Sequence, residues 1–176
     1  NISQERLEDC INSDLANNFG NLCQRVTAFA IKNCNGKIPL EVKFHDQDLL
    51  ILNKYKDNLD NIRSQIDNQN INFYIDYIVN SLFEANKYFN DQEPWKKKDD
   101  IIRLNTIVYT TLEIVRKISF LLYPIIPESS LKALKIFDIK EKNIKLDSVS
   151  NNEYLTKGNN IHKIDILFKK IEKTND

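Results

Sequence analysis

The chain has 176 residues, and its 25 basic side chains are balanced by 25 acidic ones. This length suits one domain, or a domain with an appendage, and 41% hydrophobic residues are enough to bury a core. Zero net charge excludes a strongly basic nucleic-acid coat, although not a local patch, and only 3 Gly and 4 Pro disfavour a loop-rich β protein. Methionine is absent even at position 1, which predicts a piece of a longer protein.

The first predicted elements are two helices. Ser3 can cap a short helix that runs to Ile11. A second, longer helix is predicted to begin at Ser13, because apolar residues then recur at steps of three and four as far as Ala30. Gly36 is suited to a left-handed C-cap and marks the end of this element.

Three further helices follow in the middle of the chain. The apolar period predicts one over Asp46–Ile66 and another over Asn70–Phe89, closed by the polar stretch that precedes Pro94. Another is predicted from Asp99 or Asp100, whose charge suits a helix N-terminus, to Leu122. Pro124 stops it, since proline cannot continue a helix without losing a hydrogen bond.

The C-terminal part is less regular. A short helix is predicted from Pro127 to Phe137, residues 143–160 are predicted as loop, and Ile161–Ile171 carries one possible helical face. Four long helices with short connections favour an all-α fold, an antiparallel helical bundle. We therefore expect a bundle over residues 1–139, closed by a loop and helix over residues 140–176.

Metal, membrane and catalytic sites find no support in the sequence. The cysteines Cys10, Cys23 and Cys34 form no CxxC pair, so zinc spacing is lacking, and an odd count favours a reducing, cytoplasmic setting with buried thiols. No apolar run reaches the ~18 to 20 residues of a membrane span. Neither a glycine-rich phosphate loop nor a Ser/His/Asp order is present.

The segment Pro94-Trp95-Lys96-Lys97-Lys98 is the strongest candidate for a binding site. It places the only tryptophan of the chain in a predicted loop beside three cations. A flat ring of this kind can stack on an unpaired base while lysines meet phosphate. The alternative is that Trp95 plugs the end of the bundle and the lysines are merely solvated.

A weaker candidate lies on the first long helix. Asn21 and Arg25 are four residues apart and share a helix face that is offset from the apolar stripe. Both side chains can read base edges, since one offers a donor and an acceptor and the other a fork of donors. The alternative is an ordinary exposed polar face.

Several sequence blocks together resemble a known family, the anticodon-binding domain of methionyl-tRNA synthetase. The blocks occur in the family's order over nearly the whole chain; they are residues 12–25, 86–98, 122–127 and 167–172. The first block, NSDLANNFGNLCQR, is similar to segments of other class I synthetases too, and the Pro-Trp pair in the second favours the methionine enzyme. Lys97 departs from the family, which often has an apolar residue there.

The resemblance implies a role for each candidate residue. Trp95 would stack on the first base of a CAU anticodon, and Asn21 and Arg25 would bond to base edges. Pro94 would fix the backbone that presents the ring, and Lys96 would contribute to RNA binding. The implied partners are the anticodon loop of tRNA(Met) and an upstream catalytic domain, which would use ATP with Mg; this chain lacks that domain's motifs and would itself need no cofactor.

Two other interpretations remain open at this point. One is the anticodon domain of another class I synthetase, with the same architecture and a different tRNA. The other is a non-catalytic helical module that binds a protein through surplus apolar residues. Its best candidates lie beside the core stripes: Leu50, Ile51, Phe73 and Tyr74.

Overall fold

The structure is a computed structural model that describes residues 4–164, and the helical prediction is confirmed. Within this range it contains six α-helices and no strand; the helices are α1 (Gln4–Asn33), α2 (Asp46–Asp57), α3 (Leu59–Asp67), α4 (Ile71–Gln92), α5 (Ile101–Leu122) and α6 (Pro127–Leu134). Short 3-10 turns follow α4 and α6, including one at Pro94–Lys96.

Helix α5 is the centre of the bundle. It is buried from Arg103 to Leu122 apart from Asn105, and it packs against α1, α2, α4 and α6. It runs antiparallel to α4, because Arg103 near its start bonds to Gln92 at the end of α4, while Leu121 near its end accepts a bond from Tyr74 near the start of α4. The other helices are amphipathic: α1, α2, α4 and α6 turn an apolar face to α5, while α3 packs on α4 and α2.

The prediction of two separate N-terminal helices is wrong, since both are part of the single helix α1. Ser13 does not cap a new helix. Its hydroxyl donates to the Asp9 carbonyl at 2.8 Å, the backward bond that serine makes inside a helix. The apolar stripe through Leu15 and Phe19 then packs on the core without interruption.

The single helix predicted over Asp46–Ile66 is also wrong, because the chain breaks at Asn58. The Asn58 amide Nδ2 donates to the Lys54 carbonyl at 2.7 Å, as does its backbone N–H at 3.0 Å. Asparagine competes with helical backbone bonds in this way, which ends α2 at Asp57 and lets α3 begin at Leu59.

The C-terminal segment is irregular, as expected, but it belongs to the core. Val149, Leu155 and Ile161 are buried with the helices, and residues 158–161 bond to the backbone at Gly36 and Ile38. Residues 161–164 are not helical, and the rest of the helix predicted over Ile161–Ile171 lies outside the described residues. The boundary expected at residues 139 and 140 stays a prediction.

Three buried charged residues of α5 hold this segment. Glu113, Arg116 and Lys117 are fully buried. The Lys117 Nζ donates to the Val149 carbonyl and to the Asn152 Oδ1, both at 2.7 Å. Buried charges are tolerated only when paired and hydrogen-bonded, so these bonds tie the segment to the centre of the bundle.

We expect stability to depend on the protonation of Lys117. Burial lowers the pKa of this amine to about 7, Arg116 lowers it further, and Glu113 opposes the shift. Because the unfolded amine titrates near ~10.4, the unfolded chain binds more protons above pH 7, and the free energy of unfolding rises with pH by up to ~1.4 kcal/mol per unit. Urea unfolding between about pH 7 and 8, below the usual thiol pKa of ~8.5, measures this rise.

The matched variant is Lys117→Met, which keeps the aliphatic length and removes the titrating amine. The unfolding free energy of this variant should change less with pH. The difference in unfolding free energy between the parent chain and the variant should therefore grow as pH rises. Parallel curves for the two proteins would show that Lys117 stays charged in the fold.

Candidate nucleic-acid interface

The loop between α4 and α5 presents Trp95 through a strained turn. Glu93 adopts a left-handed conformation with φ of 47°, which costs a non-glycine residue about 1 to 2 kcal/mol. Pro94 then opens one 3-10 turn, and Asp100 caps α5 by accepting from the Arg103 N–H at 3.2 Å. A left-handed residue commonly ends a helix, and here it turns the chain from α4 toward Trp95.

Trp95 lies at the surface and packs on a buried phenylalanine side chain. Its side chain is 39% exposed, while Phe89 beneath it is 1% exposed. The two ring centroids are 5.9 Å apart at 67°, and Phe29 of α1 meets Phe89 edge-on at 5.8 Å. Phe89 therefore fills the end of the bundle, and the indole remains partly open to another flat ring.

Arg25 joins α1 to this aromatic cluster. Its guanidinium carbon lies 5.6 Å from the centroid of Trp95 and 5.0 Å from that of Phe89. The same guanidinium donates to the Asn90 Oδ1 of α4. The cation is held in place over the rings, so less side-chain entropy is lost when it meets a ligand.

The other residues predicted for the site lie around Arg25 and Trp95 and differ in how far they are buried. Asn21 is exposed on α1, one helical turn from Arg25. Lys96 is exposed and pairs with Glu93 at 3.2 Å. Pro94 is buried, so it can act only on the backbone that carries Trp95. Arg25 and Trp95 are in contact, and Asn21 extends the same polar face.

A buried carboxylate, Asp48 of α2, anchors the helix ends beneath the loop. The Arg103 guanidinium donates to its two oxygens at 2.7 and 3.0 Å, and the Tyr88 hydroxyl donates at 2.5 Å. Arg103 also donates to the Gln92 Oε1 at 2.7 Å, just before the Trp95 turn. Burial alone would raise the pKa of Asp48, but bonds from Arg103, Tyr88 and the His45 N–H hold it below its ordinary value.

Sequence reasoning missed this anchor, although a signal was present. Asp48 lies four residues before Leu52 and seven before Tyr55, both buried, so it occupies the apolar stripe of α2. A charge at such a position indicates a buried partner. The partner could not be named, because Arg103 is distant in sequence and only packing brings it close.

The other chemical candidates in the described residues show no assembled site. Cys23 is buried and Cys34 half-buried, and burial raises the pKa of the Cys34 thiol to about 11. Among the residues described, His, Cys, Asp and Glu form no cluster that could hold a metal ion. None of the described helices is both long and apolar enough to cross a membrane.

Comparison with known families points to one kind of protein. Residues 38–176 match the family model described as the anticodon binding domain of methionyl tRNA ligase. The chain is 37% identical over 138 residues to the methionine--tRNA ligase of Brucella suis, covering 78% of this chain and 27% of that protein. It is 32% identical over 173 residues to the Thermotoga maritima enzyme, covering 97% and 27%.

Solved structures agree in fold. The free methionyl-tRNA synthetase of Mycobacterium tuberculosis superposes with a TM-score of 0.82 and 32% identity, covering 96% of this chain and 34% of that one. The same enzyme in complex with methionyl-adenylate gives a TM-score of 0.81, with 94% and 33% covered. The chain thus spans about a quarter of the curated relatives' length and a third of the solved chains.

Proposed function

Because this chain belongs to the family of methionyl-tRNA ligase anticodon-binding domains, we propose that it recognises the CAU anticodon loop of tRNA(Met). The observation that carries the proposal is the Arg25–Trp95 contact, which joins a cation to a partly open indole at the surface. In this role Trp95 stacks on the splayed first base, and Arg25 and Asn21 bond to base edges.

Charge near the site supports contact with the RNA backbone. Lys96 and Lys98 are exposed beside Trp95, while the chain as a whole is neutral. Each phosphate that such a cation contacts makes the affinity more sensitive to salt. On a single strand, the logarithm of the binding constant falls with the logarithm of the salt concentration by about 0.7 per phosphate. Because phosphate contacts carry no sequence information, we propose that base stacking and hydrogen bonding supply the specificity.

The chemistry of the whole ligase is proposed to lie outside this chain. The relatives are methionine--tRNA ligases, and one solved relative is a complex with methionyl-adenylate. We infer that an upstream catalytic domain activates methionine with ATP and Mg, in the cytoplasm. Within that enzyme, the anticodon contact would contribute binding energy that places the acceptor end for reaction.

Replacing Trp95 by alanine tests the proposal directly. Stacking on an aromatic ring contributes about 1 to 3 kcal/mol per base, so Trp95→Ala should weaken binding of a CAU stem-loop about 5- to 150-fold. Fluorescence anisotropy of a labelled stem-loop measures the dissociation constant. The variant should also discriminate less between CAU and a loop with a changed first base.

Leu50→Ala is the matched control, since Leu50 is 67% exposed on α2 and lies outside the proposed site. It should leave the affinity unchanged. Equal affinity of Trp95→Ala and the parent chain would refute anticodon stacking and favour a protein-interaction module. Parent binding that ignores the first base would favour another class I synthetase.

A further inference from the structure

Phe83 of α4 is the most exposed aromatic side chain among the described residues. It is 69% exposed, against 39% for Trp95 and 40% for Phe73. Val79, one turn earlier on the same helix, is 46% exposed. Single exposed apolar residues are common on protein surfaces, so exposure alone assigns no role. The position of Phe83 relative to the Arg25–Asn90 contact is what distinguishes it.

Helix geometry places Phe83 on the face that leads to the Trp95 site. Asn90 follows Phe83 by seven residues, about two turns, so the two side chains share one face of α4 about 10.5 Å apart along the axis. Asn90 accepts the hydrogen bond of Arg25, whose guanidinium lies over Trp95. A continuous strip of α4 therefore connects Phe83 to the proposed anticodon site.

Helix α1 follows the same strip from the other side. At one end Asn12 of α1 lines a cavity with Tyr74 of α4, and at the other end Arg25 meets Asn90, so the two helices run in the same direction here. Asn18 lies two turns before Arg25 on its face of α1 and is exposed. Asn18 and Phe83 consequently lie at the same level of the α1–α4 groove.

The charges along the α1–α4 groove suit an anion only in the part between Trp95 and Phe83. The carboxylates of Glu84 and Asp91 are paired with Lys54 and Lys87. Exposed Asp76 lies two turns below Phe83 on α4, and exposed Asp14 lies one turn below Asn18 on α1, so negative charge begins about one turn below the level of Phe83. An RNA strand would be repelled from that lower part, so the acceptable strip extends from Trp95 to about Phe83.

We propose that Phe83 is a second stacking platform, which receives another unpaired base of the RNA that Trp95 binds. The proposal rests on the function proposed above. The ring is exposed, and the exposed Asn18 amide on α1 can meet a base edge, whereas Asn86, one turn along α4, is half-buried and its Nδ2 donates to the Leu82 carbonyl at 3.1 Å. Between residues 79 and 92 of α4 only Val79 and Phe83 are exposed large apolar side chains, and continuity with the Trp95 site favours a base over an apolar protein surface.

The test compares Phe83→Ala and Phe83→Tyr with the parent chain on the CAU stem-loop. We expect Phe83→Ala to weaken binding about 5- to 150-fold and Phe83→Tyr, which keeps a ring, to bind as the parent does. Phe73→Ala is the matched control, because Phe73 is an exposed phenylalanine of the same helix about 15 Å further from Trp95. It should not change the affinity.

A set of stem-loops, each lacking one loop base, identifies the partner. The loss of affinity caused by Phe83→Ala should vanish for only one of these loops. The base missing from that loop should differ from the base whose removal abolishes the effect of Trp95→Ala. A loss that persists in every loop, or that falls on the nucleotide of Trp95, overturns the second platform. If Trp95→Ala weakens binding and Phe83→Ala does not, this inference fails and the proposed function stands; if neither does, the proposed function fails.

Discussion

Replacing Glu113 by alanine should destabilise the chain by about 3 to 5 kcal/mol, because it leaves a buried guanidinium without its carboxylate. The Glu113 Oε2 accepts from the Arg116 Nη2 at 2.7 Å and Nε at 3.2 Å, and its Oε1 accepts from the Leu155 N–H at 2.7 Å. Arg116 would keep the carbonyls of Ser148 and Asn151 and its contacts with the rings of Phe120 and Tyr154, but no anion. Urea unfolding near pH 7 measures the loss.

Two further variants separate the loss of the buried charge from the loss of side-chain volume and from the loss of a surface charge. Glu113→Gln keeps the shape and should cost less than alanine, since one amide oxygen can still accept. Glu153→Ala removes an exposed carboxylate from the same C-terminal segment, where it pairs with Lys157. A surface pair contributes about 1 kcal/mol at most. If Glu113→Ala cost no more than Glu153→Ala, the buried network would not hold the segment.

Replacing Asp48 by alanine should cost a similar ~3 to 5 kcal/mol, and it should also reduce RNA binding. The change removes both acceptors of the Arg103 fork, which is 7% exposed, and orphans the Tyr88 hydroxyl. Arg103 holds Gln92 at the end of α4, so the turn that presents Trp95 should loosen. Unfolding free energy and stem-loop affinity, both measured well below the melting temperature, report the two effects.

The control for Asp48 is Glu128→Ala, since Glu128 forms an exposed pair with Lys132 at 3.4 Å on α6, away from the Trp95 loop. This variant should lose at most about 1 kcal/mol and bind RNA normally. Normal RNA affinity of Asp48→Ala would show that the Asp48–Arg103 pair does not support the Trp95 site. Because the pKa of Asp48 is held low, its stabilisation is complete above the unfolded pKa of ~3.9 and is lost as pH falls through the lower folded value.

The helical fold was predictable because its signal is local. Apolar residues at the helical period, with polar caps and prolines between them, indicate elements such as α4 and α5 whatever their neighbours are. The same reasoning failed at Ser13 and Asn58. Each side chain can either cap a helix or bond within it, and packing of the adjacent apolar stripe decides which one occurs.

The candidate site was predictable in composition, because Trp95 in a basic loop and Asn21 with Arg25 on one helix face are visible in the sequence. The resemblance implied that they serve one site, but the Arg25–Trp95 contact itself depends on packing, since α1 and the α4–α5 loop are distant along the chain and converge only at one end of the bundle. The Asp48–Arg103 anchor and the groove position of Phe83 were decided in the same way. Sequence periodicity specifies which face of each helix is buried, whereas contacts between faces depend on how the helices pack together.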